Sequence, residues 1–213
     1  MAEQDTTPRA KRAYHSPRRE QQAADHRRVI LTVARRLFSQ HGYAGTTLEA
    51  IADAAGLSPK TVVAQFGSKR GILAEILNPV GLDSSHAEVI EQIRAASDPR
   101  TRLTYVARLI RAVYTEGATE FELLRGASGV APELAELSRT VERRRWQQQA
   151  GLIAFLRGQG VLRPDRTDEE ATAELWAVSS FDLFRLLVLE IGWTPQRYET
   201  WLADLLVERL LAS

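Results

Sequence analysis

Leu48 to Gly67 read LEAIADAAGLSPKTVVAQFG, the stretch that most tightly restricts how this chain can fold. These residue types ask for two short helices that cross steeply over a tight turn. Ala52 is small where the two would meet, and Gly56 falls where the turn needs a positive φ that a Cβ penalises. Ile51, Leu57 and Val62 are apolar at positions that share a core. Ser58 can cap the second helix, and Pro59 follows at its first position, where a missing N–H costs nothing. Thr46 and Glu49 have capping-box spacing, which predicts that the first helix starts near Leu48. The competing fold is an ordinary helical hairpin, which does not need all these residue types at these positions.

The flanks extend the unit. Ile30, Val33, Ala34, Leu37 and Phe38 recur at helical spacing in the segment Val29–His41, and Gly42 stands at its stop position. That predicts a supporting third helix. After the second helix, Gly67 is a stop and Ser68 a cap for the next. A three-helix unit of this kind is a helix-turn-helix, whose second helix enters the major groove of DNA. Charge agrees. Residues 9–70 carry 12 Lys/Arg against 4 Asp/Glu, whereas residues 71–213 carry 16 against 21. A basic head on an acidic body meets DNA with one end only.

The run from Val29 to Leu73 resembles the DNA-binding domain of the tetracycline-repressor (TetR) family of bacterial transcription regulators. The matching pieces are Leu37-Phe38, Gly42-Tyr43, Thr46-Thr47, Ile51-Ala52, Ala55-Gly56-Leu57-Ser58, Thr61-Val62, Phe66, Ser68-Lys69 and Leu73. The resemblance implies a second, all-helical domain that dimerises and binds a small effector, with repression as the usual mode. It also implies that Lys69 contacts DNA phosphate. Two positions depart from the pattern: Val63 replaces a common tyrosine that touches phosphate, and Arg70 a common acid.

Outside the unit, no segment alternates like a strand, so the expected fold class is all-α. Residues 1–25 read as a disordered basic arm carrying Arg9, Lys11, Arg12, Arg18 and Arg19. Such an arm either follows the DNA backbone into the minor groove or keeps the protein soluble. Residues 26–70 form the reading domain and 71–213 a helical effector and dimerisation domain. Within the latter, punctuation near Pro79, Gly81 and Gly129 separates helices. The expected helices run from Lys69 to Leu77, Ser84 to Ala96, Pro99 to about Glu116, Glu120 to Ala127, and Pro132 to about Gly158. A capping box at Thr167 and Glu170 opens one to Ile191, and Thr194-Pro195 opens the last, ending near Leu211.

The stretch Phe181–Ile191 is apolar nearly all round, so it must be covered on more than one side. Pairing it with Glu133–Arg157 by two-fold symmetry makes a four-helix homodimer interface. A palindromic double-stranded operator needs two recognition helices about 34 Å apart.

In the recognition helix the expected exposed side chains are Lys60, Thr61, Ala64 and Gln65. Lys60 can donate to guanine, Gln65 can pair with adenine, and Ala64 or the Thr61 methyl can meet a thymine methyl. Thr46, Thr47, Ser58 and Lys69 are placed for phosphate, with Pro59 at the helix start where free N–H groups favour an anion. For a hydrophobic effector the candidates are Tyr105, Leu109, Tyr114, Phe121, Leu124, Trp146 and Trp176, residue types that more often form plain core. Arg125 and the run Arg143–Arg145 could offer a cation to an acidic ligand, although a solvated face explains such runs as well.

Other classes fare worse. The four histidines show no paired metal spacing, and neither a nucleophile elbow, a phosphate loop nor a dinucleotide fingerprint occurs, so no catalysis and no cofactor are expected. The chain has no cysteine for a disulfide or thiolate site. Nor has it a run of about 18 apolar residues, so no membrane partner is expected and the compartment is the cytoplasm. A sequence-indifferent architectural role on the same fold is the alternative, and the absent tyrosine at Val63 keeps it open.

Overall fold

The computed structural model describes residues 17–78, 86–127 and 131–212. Among them the chain is all-α: α1 Pro17–Gly45, α2 Leu48–Ala55, α3 Pro59–Phe66, α4 Lys69–Ile76, α5 Ala87–Ala95, α6 Pro99–Ala127, α7 Pro132–Gly158, α8 Asp168–Val178, α9 Phe181–Phe184 and α10 Pro195–Leu210. The one β pairing there is an isolated bridge between Leu162 and Leu211. Arg9, Lys11 and Arg12, and the breaks expected at Pro79, Gly81 and Gly129, lie outside the described residues.

Local chemistry sets the helix ends. Thr47, not Thr46, caps α2, its hydroxyl accepting from Ala50 N at 3.1 Å. Gly56 closes α2 in the left-handed region (φ 66, ψ 30), and its N–H turns back to the Ala52 carbonyl. Ser58 and Ser68 cap α3 and α4, accepting from Thr61 N and Gly71 N, each at 3.1 Å. Gly71 has a steric role as well: a Cβ there would lie 2.0 Å from the Phe66 carbonyl oxygen.

Four expected boundaries change. Residues 17–25 are helical and belong to α1, not to a disordered arm. Gln21 and Arg28 donate to Asp25 at 3.2 and 3.3 Å, local pairs that support a largely exposed helix over residues 21–25. Next, Gly42 interrupts the helix as expected (φ 68, ψ 174), but a further short helical stretch follows it to Gly45. Third, the two helices expected between Pro99 and Ala127 are one. Gly117 does not interrupt it, and a Cβ there would meet the Phe121 ring at 3.2 Å. Fourth, the single helix expected from Thr167 to Ile191 breaks at Ser179-Ser180, where Ser180 caps α9. The chain then runs through a π-helical turn, Arg185–Glu190. The Ser179 carbonyl freed at the break accepts from the Tyr114 hydroxyl at 2.8 Å.

Two apolar cores organise these elements. One joins Ile30, Phe38, Ile51, Val62 and Leu73 of α1–α4 to Leu124 of α6 and Leu134 and Leu137 of α7. The other gathers Leu103, Ile153, Leu175, Phe184, Tyr198 and Leu202 from α6–α10. Because α4 is built into the first core, the expected division at residue 70 cuts through a packed unit. The reading helices rest on the body through α4.

Candidate nucleic-acid interface and ligand cavity

In α3 the apolar residue Val62 is fully buried, which turns the opposite face outward. That face presents Pro59, Lys60, Val63 and Ala64, with Val63 45% exposed. Thr61 and Gln65, expected there too, are half-buried. The Thr61 hydroxyl shares a 2.8 Å hydrogen bond with Ser58 Oγ, and Gln65 Oε1 is enclosed without a partner. The outward face therefore carries one cation among small apolar groups. Such a surface can donate once to a base edge and meet methyl groups for the rest.

Of the residues expected at phosphate, Thr47 and Ser58 are exposed at helix starts. Thr46 is buried, and its hydroxyl donates to the carbonyls of Gly42 at 2.8 Å and Leu37 at 3.2 Å. It ties down the kinked end of α1 and has no free face for DNA. Lys69 also turns inward. Its Nζ donates to the Tyr43 carbonyl at 2.5 Å and the Thr46 carbonyl at 2.7 Å, and it lies 4.2 Å from the Tyr43 ring centroid. Partial burial pulls the Lys69 ammonium below its ordinary pKa, against the opposing charge of Glu133. The Tyr43 hydroxyl is pushed up to about 12 by burial, then by the charge of Glu133 and its hydrogen bond to that carboxylate. These three residues join the end of α1, the start of α4 and the start of α7.

A second junction lies at the other end of α4. Arg35 of α1 donates to the carbonyls of Ile76 at 3.3 Å and Glu116 at 3.2 Å. Its guanidinium lies 4.0 Å from the carboxylate of Glu120, which is buried and held above its ordinary pKa by that burial. Nothing in the sequence pattern distinguishes Arg35 from the exposed arginines around it.

Beside this junction is a cavity of about 290 Å³, at the low end of the range for small-molecule sites. Leu77, the cap residue of α4, forms part of its wall. The other walls are Ile90 and Ile93 of α5, an apolar side of α6 that includes Leu109, Tyr114 and Phe121, and a polar stripe of α7. Three of the seven expected effector residues are thus at the cavity. The other four are elsewhere. Leu124 belongs to the first core. Tyr105 carries the Arg108 guanidinium 5.3 Å from its ring centroid. Trp146 and Trp176 pair edge-to-face at 6.3 Å, where α7 packs on α8. Aromatic residue type pointed at these positions, but helical phase decided which side each one faces. The polar stripe Arg144, Arg145, Gln148 and Gln149 has the i, i+1, i+4, i+5 spacing of one helix face, a signal available beforehand.

Residues 30–76 match the sequence model of the bacterial regulatory proteins of the tetR family. The fold is similar to that of a candidate transcriptional regulator from Saccharomonospora viridis in complex with choline (24% identity, 89% of this chain and 100% of that one, TM-score 0.65). It is similar also to a candidate TetR-family regulator from Rhodococcus sp. (16%, 89% and 100%, TM-score 0.69). A third is NalD of Pseudomonas aeruginosa, secondary repressor of the MexAB-OprM multidrug efflux pump (21%, 90% and 99%, TM-score 0.64). No curated protein sequence matches the chain.

Proposed function

Because the chain belongs, through its residues 30–76, to the tetR family of bacterial regulatory proteins, we propose that it represses transcription as a symmetric dimer that a small molecule releases from a palindromic operator. One observation supports this most directly. Leu77 caps α4, which stands on the reading helices, and also forms wall of the cavity. A ligand seated there touches the reader's support. It releases DNA only by binding the non-reading arrangement better, and a coupling of about 1–3 kcal/mol changes affinity about 5- to 150-fold. That NalD is a repressor and the Saccharomonospora viridis protein holds choline fits this assignment.

Lys60, Val63 and Ala64 are assigned to base edges, and Thr47 and Ser58 with the free N–H groups of α2 and α3 to phosphates. Dimerisation is assigned to α7 and α8, which pack together and leave small residues uncovered: Gly151, Ala154 and Gly158 on α7, Ala173 and Ala177 on α8. Beyond them Leu186, Leu189 and Ile191 are 42%, 49% and 66% exposed. A second copy buries these groups and sets two α3 helices about one DNA turn apart.

The test is selection of bound duplexes from a random pool with the full-length protein. An enriched palindrome with half-sites about one helical turn apart is expected. Retention of duplexes with no common sequence overturns the operator reading and leaves an architectural one.

A further inference from the structure

The cavity's polar wall says what kind of molecule it takes, given the reading above that it is a ligand site. Three arginines, Arg94, Arg144 and Arg145, and two glutamines, Gln148 and Gln149, line it, and no carboxylate does so among the described residues. Two of the three cations are already engaged. Arg94 pairs with Glu91 at 2.5 Å, and Arg145 pairs with Glu142 at 2.9 Å while donating to the Trp176 carbonyl at 2.8 Å. Neighbouring arginines of the run are committed outside: Arg143 pairs with Glu136 at 3.3 Å and Arg139 with the same carboxylate at 2.7 Å. Arg144, an exposed residue that lines the cavity, has no ion pair or hydrogen bond among the described residues. Four residues further along, Gln148 stands beside it on the same helix face. Gln149 donates from Nε2 to Ser179 Oγ at 2.8 Å, and its enclosed, unpartnered Oε1 can accept from a hydroxyl or N–H of a guest but not from its negative group. Opposite the α7 stripe the cavity is mostly apolar: Ile90 and Ile93 on α5, beside the paired Arg94, and Val106, Leu109, Ile110 and Val113 on α6.

We propose that the cavity binds an amphiphilic anion, its apolar body against α5 and α6 and its negative group held by Arg144 with the amide of Gln148. A neutral apolar guest would leave the polar wall unsatisfied, and a cationic one would meet the unpaired charge of Arg144. An anion gains a charge-assisted hydrogen bond from a guanidinium that gives up no existing partner.

Two fluorescent probes of one skeleton test this. The sulfonate 1-anilinonaphthalene-8-sulfonate and the neutral N-phenyl-1-naphthylamine are titrated into full-length wild type, Arg144→Gln and Arg144→Lys. The cavity-filling variants Val113→Trp and Leu152→Trp, each checked for retained helicity, show whether the probes occupy the cavity. We expect Arg144→Gln to weaken the sulfonate about tenfold and the neutral probe less than twofold, Arg144→Lys to restore most of the difference, and cavity filling to displace both. Equal effects of Arg144→Gln on the two probes, or none, overturn the anion and leave the cavity reading intact. If neither probe binds, or if both persist in the filled variants, the cavity reading falls and this inference with it.

Discussion

The guanidinium of Arg35 donates to the carbonyl of Ile76 at 3.3 Å, so α1 grips the last residue of α4. The same side chain reaches Glu116 of α6, which makes it a clamp between reader and body. Arg35→Met keeps the length of the side chain and removes the clamp. About 1 kcal/mol of stability is expected to go, since charged hydrogen bonds contribute about 1.5–3 kcal/mol and this one is partly in water. In calorimetry the reading helices should then melt ahead of the body. A single unshifted transition counts against the clamp.

Lys69 spends its ammonium on two backbone carbonyls. Lys69→Met is therefore expected to lower stability by about 1–2 kcal/mol, with the salt dependence of DNA binding unchanged. If instead the slope of log affinity against log salt falls by about one unit at full stability, Lys69 belongs to the DNA backbone as the family resemblance implies.

Lys60 is the one cation on the outward face of α3. Lys60→Ala should cost about 1–3 kcal/mol on the selected half-site and relax preference at one base pair. Val63 is expected to meet a thymine methyl. Replacing that thymine by deoxyuridine should weaken wild type severalfold and leave Val63→Ala indifferent. Equal sensitivity of the two proteins removes Val63 from the reading surface.

Glu120 binds its proton more tightly folded than unfolded, because burial raises it above the ordinary value of 4.5. Between that value and its raised one, the folded state holds more protons than the unfolded. The part of the stability that Glu120 contributes then falls as pH rises through this window. Glu120→Gln should flatten that decline in denaturant titrations run from pH 4 to 7. Identical slopes for wild type and Glu120→Gln over that range contradict the assignment.

Gly151, Ala154 and Gly158 leave α7 nearly bare along one exposed stripe. Ala154→Arg should yield a folded monomer in sedimentation experiments, with operator affinity reduced at least a hundredfold. A dimer that survives the arginine moves the two-fold axis away from α7.

Much of the reading domain was legible because its signals are local. A cap, a stop glycine and an apolar i, i+3, i+4 stripe each act within one turn, and α2, α3 and α4 begin within one residue of where those signals put them. Thr46 and Lys69 sit differently from their expected exposure for the complementary reason. Their polar ends are satisfied by backbone carbonyls around the kink at Gly42, partners that residue spacing alone does not reveal. The body was less readable. Gly117 looked like punctuation, yet it lies within a continuous helix beside the Phe121 ring. Ser179-Ser180 looked like helix interior, yet the Tyr114 hydroxyl takes up the carbonyl that a break sets free. In both cases the deciding partner is a side chain on another turn or another element. The cavity shows the same limit, since Leu109 and Trp176 are equally apolar and only helix phase sends one inward.

Leu77 has a consequence for how such a protein can change its chemical vocabulary. A guest presses on the residue that ends the reader's own prop, so no relay of intervening side chains has to be preserved. On the proposed function, substitutions at the cavity-lining residues of α5 and at Arg144–Gln149 of α7 would retune which compound is sensed and leave the grip on the operator as it was. New inducers are then open to this scaffold without any new wiring.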